Sequence, residues 1–155
     1  MYMHLFGMDH VTIPDLPCIC ATLRRATRAL TQHYEQALRP ARLRATQFTV
    51  LQALSLAGEL TQGDLGRFLA IDSTTLTRTL AIMNRHGWVV RRRGSDKRER
   101  RFRLGERGAT ALKRALPLWN QAQSKTRRKI GHRRSSELMN FANQVANAFF
   151  TGGLP

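Results

Sequence analysis

Apolar positions fall into six stretches with helical spacing and two with strand alternation. Ile19, Cys20, Leu23, Ala26, Leu30, Tyr34 and Ala37 form one stripe, which predicts a helix from about Leu16 to Arg39, with Asp15 as cap and Pro40 as stop. Phe48, Leu51 and Leu54 mark a second helix over Thr46–Ala57, ended by Gly58. Thr61 and Asp64 have capping-box spacing, and Leu65, Phe68 and Leu69 are expected on the inward face of a third. A break at Ala70–Ile71 leads to Asp72 or Ser73, either able to cap a fourth helix that runs to about His86 with Leu76, Leu80 and Met83 inward. Gly87 stops it. Trp88–Arg91 and Arg101–Leu104 then alternate like strands around a turn at Gly94–Asp96. A long amphipathic helix follows over Glu106–Ile130, kinked rather than ended by Pro117, and after a break at Gly131–Arg134 a last one spans Ser135–Phe149.

This order gives a mainly α fold with a small β-wing: a winged helix-turn-helix plus a helical dimerisation region. The boundaries read as an N-terminal arm at 1–15, a single domain at 16–150 and a tail at 151–155. Within the domain, 46–104 is the winged unit and 16–40 with 106–150 are the dimerisation helices. The winged unit buries its own core, so the stripes of the outer helices need another surface. A two-fold dimer supplies it economically.

Charge sharpens the picture. The 155 residues hold 26 basic and 10 acidic side chains, a formal +16, which points to a polyanionic partner. Between Arg91 and Arg103 lie eight basic residues, interrupted only by Asp96 and Glu99. On the fourth helix, Ser73, Thr74, Thr75, Thr77, Arg78 and Arg85 fall outside the apolar stripe, where small hydroxyls and guanidinium groups suit base edges and phosphates. With Arg92, Arg93, Asp96, Lys97, Arg98 and Arg100 of the wing they form the candidate DNA-binding set. A further run, Lys125–Arg134, carries six basic residues and no acid, and reads as a solvated face.

Asp96-Lys97-Arg98 followed by Leu104–Gly108 resembles the wing signature of the MarR family of bacterial transcription regulators, and Ile71–Arg78 is similar to its recognition-helix entry. The resemblance covers about Leu16 to Phe149. It implies a homodimer on double-stranded, palindromic operator DNA, with Arg98 entering the minor groove and Asp96 bracing the ribbon. Lys97 stands where the family has a second arginine, and Gly105 where it has a threonine cap.

Cys18 and Cys20 fall in the first turns of the first helix, beside Arg24 and Arg25. Two helical residues two apart point to nearly opposite sides, so a mutual disulfide needs the helix start to unwind. Cys20 and Tyr34 resemble positions of the organic-hydroperoxide-sensing (OhrR-like) branch, where the cysteine is oxidised and the tyrosine comes near it. Arg24 and Ala45 replace further tyrosines of that branch, and the fifth helix holds no cysteine. Two release signals stay open: an oxidant acting at a candidate redox site of Cys20, Cys18 and Tyr34, or a small-molecule effector in a pocket beside the dimer helices.

The sequence offers no nucleophile–base pair, phosphate-cradling glycine loop or carboxylate cluster, so no enzyme and no cofactor is expected. His4, Asp9 and His10 are better read as part of a polar tail than as metal ligands. No apolar run reaches membrane-spanning length, Met1–Asp9 lacks signal-peptide character, and two cysteines fit a reducing cytoplasm. The charge alone also fits an alternative, an architectural protein that binds DNA or RNA without sequence preference.

Overall fold

The computed structural model describes residues 17–94 and 99–150. The elements are α1 (Ile19–Leu38), a 3-10 turn (Arg39–Ala41), α2 (Ala45–Ala57), β1 (Glu59–Thr61), α3 (Gln62–Leu69), α4 (Ser73–Arg85), β2 (Val89–Arg93), β3 (Arg100–Leu104), α5 (Glu106–Ile130) and α6 (His132–Phe149). This is the mainly α winged arrangement expected. The arm at 1–15, the tail at 151–155 and the candidates Asp15, His4, Asp9, His10, Asp96, Lys97 and Arg98 lie outside the described residues.

The core is built where α2 and α4 turn their stripes against the sheet and the start of α5. Phe48, Val50, Leu51 and Leu54 of α2 meet Leu65, Leu76, Leu80 and Met83, with Val89 and Phe102 from the ribbon and Ala111, Leu112 and Ala115 from α5. The expected inward face of α3 is corrected at one position: Phe68 is 68% exposed. The buried side of α3 is centred between Leu65 and Gly66, which packs near Leu76, and at 100° per residue Phe68 points about 110° away from that centre.

The sheet has three antiparallel strands in the order β1-β3-β2. The alternation in the sequence located β2 and β3 but not β1, whose three residues are too few to show a period. Pairing creates it: Leu60 sits opposite Phe102, and Glu59 and Thr61 opposite Arg103 and Arg101.

Three boundaries also shift. α1 begins at Ile19, with Cys18 in extended conformation as its N-cap and no side-chain capping bond. The first helix stops before Pro40, as expected, but at Leu38, and the chain continues into the 3-10 turn Arg39–Ala41, closed by Arg42 at φ 57° with its N–H on the Arg39 carbonyl. The break before α6 is Gly131 alone, at φ 97°, rather than four residues. Its N–H closes α5 on the Arg127 carbonyl, and its own carbonyl accepts the Ser135 N–H, so α6 starts at His132. α5 runs through Pro117 and spans the predicted Glu106–Ile130.

Two caps set the helix-turn-helix. Thr61 accepts the Asp64 N–H at 3.0 Å and donates its hydroxyl to the Asp64 carboxylate at 2.7 Å. Asp72 accepts the Thr75 N–H at 2.8 Å. The Thr61 hydroxyl, then Arg67, hold the Asp64 carboxyl below its ordinary value, and hydrogen bonding from Thr75, side chain before backbone, does the same for Asp72. A carboxylate with a depressed folded-state pKa stabilises fully above its unfolded value of 3.8 and loses that contribution as the pH falls through the lower folded value. Amide exchange at Asp64 and Thr75, corrected for intrinsic rates, should therefore accelerate selectively below that pH. Equal protection at pH 6 and in this acid range would show that the caps carry no stabilisation.

α5 joins the winged unit through a backbone contact. The Gly105 N–H donates to the Trp88 carbonyl at 2.9 Å, and a Cβ on Gly108 would drive into that same carbonyl, as one on Gly105 would into the Gly87 carbonyl. Backbone cannot yield as a flexible side chain does. Gly108→Ala should cost at least ~2 kcal/mol in a denaturant titration, because overpacking here displaces a helix. A change within error would mean that α5 can lift without loss.

Candidate nucleic-acid interface

The second helix of the turn motif, α4, buries Leu76, Leu80 and Met83 and leaves Ser73, Thr74, Thr75, Thr77, Arg78 and Arg85 exposed. The sequence-predicted residues thus share the outward side of one rod. The turn before it is tight: Ala70 adopts φ 48°, and the Ile71 N–H returns to the Gly66 carbonyl at 3.1 Å.

The hydroxyls on this side are not equivalent. Thr77 donates to the Ser73 carbonyl at 2.7 Å and accepts from Gln62 Nε2 at 2.7 Å. A hydroxyl has one proton and two lone pairs, so Thr77 keeps one lone pair and a methyl group for a partner. Its outward chemistry is largely apolar contact, of the kind a thymine methyl offers. Gln62, the first residue of α3, belongs to the same surface and was missed in the sequence. It is 15 positions from Thr77, and only the turn geometry brings the two together.

The ribbon carries its arginines on both faces. Val89 pairs with Leu104 and Arg91 with Phe102, while Arg92 lies opposite Arg101 and Arg93 opposite Arg100. The Gly94 N–H donates to the Glu99 carbonyl at 3.0 Å and closes the described part of the ribbon. Arg91, Arg92, Arg93, Arg100 and Arg103 are exposed, whereas Arg101 is half-buried between Glu99, with which it forms an ion pair, and Glu59 at 3.8 Å. Arg101 is therefore already neutralised. The Arg93–Arg100 pair directly across the ribbon is left as a like-charge pair, an arrangement that costs stability unless a polyanion lies against it.

A second feature lies where α1 and α5 pass α2. A cleft of about 270 Å³ opens between α1, α2 and α5, lined by Thr27, Leu30, Thr31, Tyr34, Phe48 and Trp119 among others. Phe48 stacks on Trp119 at 5.7 Å and 25°. Tyr34 donates its hydroxyl to Gln123, and His33 faces the Ala122 carbonyl at 3.3 Å, so both hold α1 to α5.

Cys18 and Cys20 are free and exposed, and neither lines the cleft. Arg24 Nη2 donates to Cys20 Sγ at 3.6 Å. Tyr34 lies 14 positions further along α1, about 21 Å at helical rise, so it does not join Cys20 within one chain. Because Cys18 lies before the helix rather than in it, the expectation that the two thiols point to opposite sides no longer holds strictly. Among the described residues no group of His, Cys, Asp and Glu could hold a metal ion, and no helix is long and apolar enough to cross a membrane.

Comparison with known proteins converges on one family. Residues 43–99 match the MarR family model. An uncharacterised helix-turn-helix transcriptional regulator of Bacillus subtilis (strain 168), YwoH, is 33% identical over 78 residues, which cover 50% of this chain and 57% of that relative. The chain thus spans little more than half of YwoH. The M. tuberculosis transcriptional regulator MosR, solved in complex with DNA, is 36% identical at a TM-score of 0.74, over 85% of this chain and 98% of its own. A MarR mutant from E. coli, complexed with operator DNA, shares the fold at a TM-score of 0.72 and 23% identity, over 81% of this chain and 91% of its own. The chain belongs to the MarR family of DNA-binding transcription regulators.

Proposed function

We propose that the protein is a homodimeric, sequence-specific DNA-binding repressor, cytoplasmic, acting by binding rather than catalysis. The observation that carries this reading is the exposed hydroxyl-and-arginine side of α4 together with the exposed ribbon arginines Arg91, Arg92, Arg93, Arg100 and Arg103, which make no ion pair among the described residues. α4 lies in a major groove and each wing in the flanking minor groove, where the potential is most negative and where the family resemblance assigns Arg98. Asp96 and Lys97 flank it; Arg92, Arg93 and Arg100 take phosphates. The second subunit is supported by α6, in which Ser135 is the one buried residue and Leu138, Met139, Phe141 and Phe149 stand 40–83% exposed, with Ile19 of α1 at 75%. Two copies aligned this way call for an imperfect palindrome with half-sites about one helical turn apart. The architectural alternative is disfavoured by the α4 surface, which offers hydroxyl and methyl groups to base edges rather than charge alone.

Gel shifts on the region upstream of its own gene should show a preference of ~10³-fold or more over unrelated duplex, which an architectural protein would not have. Arg98→Ala should weaken that binding by ~1–3 kcal/mol. Arg92→Ala should lower the salt slope by about 0.9, whereas Arg101→Ala, already paired with two carboxylates, should leave it unchanged. An equal loss for Arg92 and Arg101 would remove the electrostatic argument.

Release requires a change in the spacing of the two recognition helices. The α1–α2–α5 cleft supports a small, largely apolar effector, since it has an aromatic wall and a few hydroxyls. The second signal is oxidation at Cys20, with Cys18 close in sequence. Mild peroxide with thiol mass spectrometry beside a gel shift separates them: the redox reading expects wild type to release DNA and Cys20→Ser to hold it. Oxidised Cys20 with an intact shifted band would leave the cleft as the sensing site.

A further inference from the structure

The basic corner where α5 meets α6 has no role in the reading above. Lys125, Arg127, Arg128, Lys129, Arg133 and Arg134 are all exposed, and among the described residues the one ion pair they make is Arg133 with Glu137 at 3.3 Å. The carbonyl end of α5 accounts for cations in its last turn, Arg127, Arg128 and Lys129. It does not account for the rest. Because α6 starts at His132, Arg133 and Arg134 occupy its first turn, where the helix dipole disfavours positive charge, and that turn holds no acid. Lys125 and Lys129 add a like-charge pair four apart on one helix. Lys125, Arg133 and Arg134 thus stand against the local electrostatics, beside three further cations, and an external anion would offset that cost.

We propose that the α5–α6 corner is a second DNA-binding surface, gripping the phosphate backbone of a duplex segment other than the one held by α4 and the wing. Separation requires the second segment. Along α5 the corner begins about 28 Å (Lys125) and the helix ends about 36 Å (Ile130) from Glu106, the residue that follows the ribbon's base. With a Debye length of about 8 Å at physiological salt, its charges do not act on a duplex at the other end. Residue chemistry selects a duplex over an anionic membrane. Four of the six cations are arginines, whose fork matches phosphate oxygens, and the stretch 125–134 has one aliphatic residue, Ile130, half-buried, with nothing to insert among lipid chains. The protein then links two DNA segments, one read for sequence and one held by charge.

A bridging pull-down tests this. Full-length protein is bound to an immobilised duplex and offered a fluorescent 40-bp duplex of unrelated sequence. Wild type should capture the second duplex in a salt-dependent way. The variant Lys125→Gln, Arg128→Gln, Lys129→Gln, Arg134→Gln should capture at least ~10-fold less, with affinity for the first duplex unchanged. The charge-keeping variant Arg128→Lys, Arg134→Lys should retain capture. If the fourfold variant loses its helical spectrum, the pairs Lys125→Gln with Lys129→Gln and Arg128→Gln with Arg134→Gln give the same readout. Equal capture by wild type and variant, no capture by wild type, or parallel loss of first-duplex affinity would each overturn the proposal. So would retention of phosphatidylglycerol vesicles in a corner-dependent way with no second duplex held, which would assign the surface to membrane.

Discussion

The close approach of α5 to the Trp88 peptide is the contact on which the geometry of the molecule rests. At this point the end of α4, the start of β2 and the start of α5 meet without intervening side chains. The Trp88 N–H donates to the Met83 carbonyl at 2.9 Å, its carbonyl accepts Gly105, and Gly108 leaves room for the helix to sit on it. Side-chain packing can be adjusted through rotamers, but a backbone-to-backbone joint has few alternative arrangements. α4, the ribbon and α5 are thereby referenced to one carbonyl group. Gly105, which departs from the usual threonine of the family, makes sense here: the position is governed by proximity to Gly87 rather than by a capping hydroxyl.

Charge is distributed with the same economy and with visible local cost. Arg92 faces Arg101 and Arg93 faces Arg100, yet among the described residues Arg101 alone of these four is given carboxylates, from Glu59 on β1 and from Glu99. The strand that the sequence pattern did not reveal thus has an electrostatic as well as a hydrogen-bonding purpose. It discharges the arginine nearest the core and leaves the outer ones active. A polyanion lying against the ribbon, as proposed, would relieve the remaining repulsion, so part of its affinity would be stored as strain in the free protein.

Legibility in the sequence followed the number of residues over which a signal repeats. α2, α4 and α5 span three or more turns with consistent apolar faces, and their limits were read nearly to the residue. β1 has three residues and exists through its partners. Phe68 misled because a face of eight residues leaves two ways to orient it, and Gly66, not a large side chain, decides which side meets α4. At the interface, the exposed set on α4 was legible since exposure is the complement of a clear stripe. The use of Thr77 by Gln62, and of Arg101 by Glu59, was not, because each pairing crosses a turn or a strand that periodicity does not place. The start of α6 depended on one glycine's φ, which composition around Gly131 blurs.

The cleft acquires meaning from the same joint. α2 forms one wall through Phe48 and also packs against α3 and the sheet, while Trp119 belongs to α5, whose other end is fixed at Trp88. Something entering between Phe48 and Trp119 therefore acts on both attachments of the winged unit at once. The unit cannot deform internally without opening its buried core around Leu51, Leu76 and Leu80, which would cost several kcal/mol. Rotation as a body is cheaper. Its flexible points are those where the helical ladder is already interrupted: Arg39–Arg42 between α1 and α2, and Pro117 within α5, two residues from Trp119. In the proposed dimer, a few degrees at those points would be amplified by the length of the unit into a change in recognition-helix spacing, and the proposed palindrome would no longer fit.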